Sequence, residues 1–292
     1  MTIAVYARSV KDNHADYIKT LSTKLNKEHI ELIIFEDYYK FLKEEFNFNL
    51  EINTYKDYNC VRGKVDFIIS LGGDGTILET LELVKDSGIP VLGVNTGRLG
   101  FLASVYKEDF SNAIDCLINE KFKLDKRAII ELETEEKLFG DLNFAVNEVT
   151  VMKKDSSTMI TIDTLVNGEF LNSYWADGLI VSTATGSTAY SLSCGGPIMV
   201  PDSDNYVITP IAPHNLNVRP IVLSNKNEIT LTIKGRSSEY LVSLDSRSAS
   251  IDASIALKIK KADFTFNLVN LEGQHFFKTL RNKLMWGIDK RN

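Results

Sequence analysis

Cysteine is scarce in this chain of 292 residues: Cys60, Cys116 and Cys194 are odd in number, far apart and never in a CxxC pair. A disulfide framework and a zinc knuckle are thereby excluded, and a reducing compartment, the cytoplasm, is the expected setting. Long apolar runs are missing as well. No stretch reaches the roughly 18 residues of a membrane span, and Met1-Thr2-Ile3-Ala4-Val5-Tyr6-Ala7 lacks a basic leader and reads as a first strand. There is no surplus of positive charge, the formal net charge being −6 and the pI about 5.4. Neither nucleic acid nor a membrane is therefore an expected partner, although a local basic pocket for a small polyanion remains compatible. No GxxxxGK[ST] loop occurs, Ser187 stands in Gly186-Ser187-Thr188 rather than GxSxG, and the four histidines, His14, His29, His214 and His275, are scattered. A P-loop and a nucleophilic triad are accordingly absent. Internal repeats and low-complexity segments are lacking too.

The hydrophobic fraction of 44% and the charged fraction of 25% are ordinary for a globular protein, and the length favours two domains. Short β-branched runs at 3–7, 32–35, 67–71 and 91–94 alternate with helical stretches at 14–28, 77–86 and 107–119. Near-continuous apolar strands between amphipathic helices predict a parallel sheet covered on both faces, an N-terminal doubly wound α/β domain over residues 1–125. Residues 38–62, rich in aromatics and charges, predict an irregular helix and a loop. From 126 to 270 the pattern changes to closely spaced strands, at 128–133, 144–152, 159–166, 169–175, 179–183, 206–211, 228–234, 240–244, 256–261 and 264–269. Asn167-Gly168 is a two-residue hairpin signal of type I′. This half is mostly β, read as a sandwich. The tail, 271–292, carries one short helix at 278–284.

Three glycine-containing loops fall at strand ends. In the first, Gly72-Gly73-Asp74-Gly75-Thr76 follows the apolar strand 67–71 and precedes a helix. Glycine permits close approach of backbone to a ligand, and a helix N-terminus offers free N–H groups to an anion, so phosphate is a natural guest. A carboxylate there would repel phosphate unless it does chemical work or holds a metal; alternatively Asp74 is only the helix N-cap of a tight turn. In the second loop, Gly93-Val94-Asn95-Thr96-Gly97-Arg98-Leu99-Gly100 does not match GxGxxG. Asn95 and Arg98 either orient a phosphoryl donor or serve as loop and surface groups. The third loop runs from Asp177-Gly178 to Gly195-Gly196-Pro197 and has eight hydroxyl side chains between Ser182 and Ser193, a surface able to hydrogen-bond ribose, base or phosphate. Asn147-Glu148, adjacent polar residues within one strand, point to opposite faces, so at least one needs a partner. His214 lies in a Pro-bounded loop, either reaching a site or packing.

Together these segments resemble the NAD kinase family, in order and spacing, across both domains and into the tail at Leu280-Arg281 and Lys283-Leu284. GGDGT is shared with diacylglycerol, sphingosine and sugar-phosphate kinases of the same superfamily; Gly186-Ser187-Thr188-Ala189-Tyr190 selects NAD kinase. The resemblance implies that Asp74 removes the proton from the adenosine ribose 2′-hydroxyl of NAD while ATP donates its terminal phosphoryl group. It makes Gly72, Gly73 and Thr76 phosphate-loop residues, and Gly75, Asn147, Glu148, Asp177, Thr188, Ala189, Tyr190, Ser191, Leu192, Ser193 and Ala212 dinucleotide-binding positions. It further implies a tail packed on the first domain, Mg²⁺ or another divalent cation arriving with ATP rather than in a protein cage, and a homodimer or homotetramer. The family's Thr-Pro-Thr-Gly-Ser-Thr-Ala-Tyr has Ala184 in place of proline here, and its Asp-Gly-Gln reads Asp245-Ser246-Arg247, with Arg247 a further candidate for the dinucleotide or a phosphate. A lipid kinase of the same superfamily and a catalytically silent dinucleotide sensor are the alternatives, the hydroxyl-rich loop weighing against the first and retention of Asp74 against the second.

Overall fold

A computed structural model describes residues 1–8, 15–97, 100–103, 105–154, 159–237 and 239–286. The chain divides into two compact units, residues 1–126 with 266–292, and residues 127–265.

In the first unit, β1 (Thr2–Ala7), α1 (Ala15–Lys27), β2 (Glu31–Phe35), α2 (Glu36–Phe46), β3 (Asn53–Tyr55), α3 (Tyr58–Val61), β4 (Phe67–Leu71), α4 (Asp74–Val84), β5 (Val91–Asn95), β6 (Val105–Tyr106) and α5 (Phe110–Ile118) follow in turn. The strands order β5-β4-β1-β2-β3, and every pair is parallel. Parallel strands are buried on both faces, which is why β4 and β5 read as unbroken apolar runs. Ile3, Val5, Ile69, Leu71, Leu92 and Val94 join Ile18, Leu21, Leu25, Leu42 and Ile114 from the helices in one core. The stretch expected to be irregular holds α2, the edge strand β3 and α3. β3 escaped notice because only Tyr55 of its three residues is buried.

In the second unit and the tail come β7 (Phe122–Glu133), β8 (Phe144–Ala145), β9 (Glu148–Lys153), β10 (Ile160–Val166), β11 (Glu169–Ala176), β12 (Gly178–Thr183), α6 (Tyr190–Ser193), β13 (Asn205–Ile211), β14 (Ile221–Ser224), β15 (Ile229–Lys234), β16 (Glu239–Leu244), β17 (Arg247–Asp252), β18 (Leu257–Leu271) and α7 (Phe276–Leu284). One sheet orders β14-β13-β12-β9-β16-β17, and a second group of strands, β11-β10-β15-β18, faces the same core. Val149, Val151, Leu179, Val181, Tyr240 and Val242 meet Ile160, Ile162, Leu231 and Ile259 there, giving the expected sandwich. The hairpin at Asn167-Gly168 has φ of 52° and 80°, as a type I′ turn requires.

Two expectations need correction. The strands expected at 256–261 and 264–269 are one strand, β18; its last part pairs with β5 in the first unit, Leu268 opposite Val91. The strand expected at 144–152 is broken between Ala145 and Glu148. Residue 14, where the first helix was expected to begin, lies outside the described residues, and α1 is described from Ala15. No helix among the described residues is long and apolar enough to cross a membrane.

Candidate active site

Strand order locates the first part of the site without reference to sequence motifs. β2 and β3 lie on one side of β1, and β4 and β5 on the other. An open parallel sheet binds ligands outside the carboxyl ends of its strands at such a reversal. Arg8 follows β1 there, and Gly72-Gly73-Asp74-Gly75 follows β4.

Gly72 adopts φ 153°, and a Cβ on it would lie 2.3 Å from Thr76 Oγ1, so only glycine fits this turn. Thr76 is buried and packs there, whereas Gly73 and Gly75 are exposed. Gly73, not Asp74, occupies the N-cap of α4, and Asp74 is the first helical residue, which overturns the N-cap reading. The Asp74 carboxylate turns instead to the loop after β5. Oδ2 accepts the Phe101 N–H at 2.7 Å, and Oδ1 accepts those of Leu102 at 2.9 Å and Ala103 at 3.0 Å. Each carboxylate oxygen has about two acceptor positions; among the described residues Oδ1 is filled and Oδ2 keeps one. Gly100 makes the approach possible, because a Cβ there would fall 1.7 Å from Asp74 Oδ1. Lys283 of α7 brings its Nζ to 3.7 Å from Oδ2.

Asn95 is buried and its Oδ1 accepts the Gly97 N–H at 2.8 Å, which steadies the loop. Arg98 lies outside the described residues. Arg8, which sequence reasoning missed, donates from Nε to Glu79 at 2.5 Å, and the Tyr6 hydroxyl donates to the same carboxylate at 2.9 Å. Burial first, and Glu79 second, holds the Tyr6 phenol well above its usual range. The Arg8 guanidinium lies 3.9 Å from where a Cβ of Gly75 would stand, a cation beside the glycine loop.

In the second unit, Asn147 and Glu148 sit at the break between β8 and β9. Asp245, in the left-handed region at φ 52°, accepts the N–H groups of Val146 at 2.9 Å, Asn147 at 2.8 Å and Glu148 at 3.2 Å. Those bonds replace the missing ladder and explain why two adjacent polar residues are tolerated here. Glu148 is 8% exposed, and its Oε2 has no hydrogen-bond partner among the described residues. Burial, and then the Asp245 charge, pushes its carboxyl up to about 8, against the pull of the Tyr190 N–H. Asp245 is likewise raised by burial, countered by its three N–H donors.

The hydroxyl-rich loop forms a short 3₁₀ turn, Gly186–Thr188, followed by α6. Much of its hydroxyl content holds the loop itself. Thr183 Oγ1 donates to Val146 O at 2.6 Å, Ser187 Oγ donates to Ala184 O at 2.7 Å, and Thr188 Oγ1 donates to Thr185 O at 3.2 Å. Ser191, fully buried, shares a hydrogen bond with Thr209 at 2.8 Å. Thr188, Ala189 and Leu192 are half-buried; Tyr190 and Ser193 are exposed and open to a ligand. A Cβ at Gly186 would lie 2.2 Å from Asn147 O, so glycine is what lets this turn close on Asn147.

Asp177 and Ala212 fall at the other end of β12. Gly178 pairs with Ile211 there, while Ser182 pairs with Glu148 at the far end. Asp177 is ion-paired to Lys153 at 2.6 Å, and Ala212 is exposed at φ 44°. His214, also exposed, rests on the Trp175 ring with centroids 4.3 Å apart. The Arg247 guanidinium donates to the carbonyls of Leu142 and Phe144, bracing the entry to β8. Asp245, Lys283 and Gly100 entered the sequence reading only as members of motifs, and nothing local to them pointed to the contacts they make here.

Residues 7–122 match the ATP-NAD kinase N-terminal domain, and residues 146–271 match the ATP-NAD kinase C-terminal domain. The NAD kinase of Cytophaga hutchinsonii is 47% identical over 292 residues, and that of Flavobacterium johnsoniae 47% identical over 294, each alignment covering both chains completely. Among solved structures, an Archaeoglobus fulgidus NAD kinase in complex with ATP aligns with a TM-score of 0.77 and 26% identity, over 98% of this chain and 99% of that one. Yeast NADH kinase complexed with NADH shares the fold, with a TM-score of 0.87 at 22% identity over 99% of this chain and 88% of the yeast chain. The glycine loop with its clamped carboxylate in one unit, and Asn147, Glu148 and Tyr190 in the other, thus come with likeness along both halves, and the chain belongs to the ATP-NAD kinase family.

Proposed function

We infer that this enzyme, an NAD kinase by family, transfers the terminal phosphoryl group of ATP to the 2′-hydroxyl of the adenosine ribose of NAD, with Asp74 as the proton acceptor. The observation carrying this reading is the clamp on Asp74: three N–H groups fix the carboxylate and leave one acceptor position on Oδ2. In the step, the 2′-oxygen forms a bond to the terminal phosphorus as the bond from that phosphorus to its bridging oxygen breaks. The electron pair leaves on ADP, and the 2′-hydroxyl proton passes to Oδ2. Phosphoryl transfer depends on in-line placement and charge neutralisation more than on a strong base, so a carboxylate held in one orientation suffices.

Glu148, Asn147, Tyr190 and Ser193 are assigned to the dinucleotide, the unpartnered Glu148 Oε2 being the best-prepared group for a ribose or base contact. Asp177 and Ala212, at the opposite end of β12, are assigned to a dinucleotide shared between subunits of a homodimer or homotetramer. The exposed Trp175 and Leu216 nearby support that assembly. No three His, Cys, Asp or Glu side chains cluster among the described residues. A divalent cation is assigned to the ATP phosphates, where it would neutralise their charge. Three free cysteines support a cytoplasmic setting.

Incubation with NAD, ATP and Mg²⁺, with NADP read by a dehydrogenase specific for the phosphorylated cofactor, tests the reading. NADP should accumulate; intact NAD binding without NADP would contradict it.

A further inference from the structure

Lys283 stands beside the Asp74 carboxylate, and the phosphoryl-transfer reading leaves it without a task. It lies in α7, far along the chain from the glycine loop, yet its Nζ stands 3.7 Å from Asp74 Oδ2, the oxygen with the remaining acceptor position. The same ammonium lies 4.8 Å from the centroid of the Phe101 ring. Phe101 supplies the N–H that Oδ2 accepts, and its ring lies 6.2 Å from that of Phe276, the first residue of α7. Asp74, its N–H loop and α7 therefore form a closed triangle: carboxylate to loop by hydrogen bonds, loop to helix by aromatic rings, and helix back to carboxylate by the ammonium.

The separation is longer than a direct hydrogen bond, and the Lys283 side chain is 35% exposed, so the ammonium keeps donors for solvent or another anion. A carboxylate at the mouth of an anion-binding loop repels a polyphosphate. A cation on its open oxygen offsets that repulsion where the donor arrives.

We propose that Lys283 is a positioning residue for the reaction: it aims Asp74 Oδ2 and screens its charge from the polyphosphate of the donor, tying the C-terminal helix to the donor side of the site. The proposal rests on Asp74 as proton acceptor. Its distinguishing consequence is that Lys283 acts through Asp74, so it matters for the donor and not for NAD.

The test is a double-mutant cycle on nucleotide affinity, with Mg²⁺ and a non-hydrolysable ATP analogue as probe, on full-length protein carrying Lys283→Met, Asp74→Asn or both. Lys283→Met should weaken analogue binding by about five- to tenfold, raise KM for ATP alike and leave NAD affinity unchanged. In the Asp74→Asn background, where no carboxylate needs screening, the same change should have little effect on analogue binding. Lys283→Arg should restore most of the loss. Equal weakening with and without the Asp74 charge, an unchanged analogue affinity in Lys283→Met, or loss of NAD binding in step with the analogue would each overturn the proposal. Failure of the Asp74 reading is seen separately, as full turnover in Asp74→Asn alone.

Discussion

Each unit contains an aspartate that accepts three successive backbone N–H groups, and the two are put to opposite uses. Asp74 takes those of Phe101, Leu102 and Ala103; Asp245 takes those of Val146, Asn147 and Glu148. Asp74 remains 28% exposed, with a lysine on its open oxygen. Asp245 is raised by desolvation, with the Glu148 carboxyl beside it. In the first case the loop serves the carboxylate, fixing a reactive oxygen. In the second the carboxylate serves the loop, holding the strand break at Asn147 and Glu148.

The comparison breaks most severely at Gly100. Gly100→Ala puts a Cβ 1.7 Å from Asp74 Oδ1, so the carboxylate must leave its clamp. Misplacement of about 1 Å at a reacting group costs on the order of 10²-fold in turnover. kcat should fall by that amount while NAD affinity holds, as measured by steady-state kinetics and NAD titration.

Asp245→Ala tests the other half. Three N–H groups lose their acceptor, and stability should drop by about 1–3 kcal/mol in a denaturant titration. NAD affinity should fall with it because Asn147 and Glu148 lose their frame, whereas kcat at saturating NAD should change little.

Glu148 supplies a pH dependence of defined sign. Its folded value of about 8 lies above its usual 4.5, so the folded state holds the extra proton between those limits. Unfolding then releases it, and this group's contribution to stability falls as pH rises from about 4.5 to 8. Glu148→Gln should flatten that slope, seen as a smaller loss of Tm between pH 5 and pH 8 than in the unaltered protein.

The smallest expected effect concerns Ala184, where the family has proline. Ala184→Pro removes freedom from the unfolded chain and should raise stability by about 0.4–1 kcal/mol with kcat unchanged. A fall in Tm would mean that the loop has adapted its backbone to alanine.

Legibility in the sequence followed distance along the chain. The α/β alternation and the position of GGDGT after β4 were readable because neighbours in sequence carry them. The direction of the Asp74 side chain was not, since its donors lie 27 to 29 residues away, and the Asp245 donors are 97 to 99 residues away. The hydroxyl-rich loop was found by composition, but composition does not separate hydroxyls that staple a loop, such as Thr183, Ser187 and Ser191, from those left for a ligand. β14 and β17 were missed because each buries little: one alternates half-buried with exposed residues, and the other fully buries only Ile251.

The central claim is that Asp74 accepts the 2′-hydroxyl proton, and Asp74→Asn tests it most directly. The amide keeps the side chain's size but cannot take that proton. Single-turnover formation of NADP from bound NAD and ATP should slow by about 10²–10⁴-fold while NAD binding stays within a few fold. Turnover at the unaltered rate would remove Asp74 from the chemistry and leave the clamp a purely structural device.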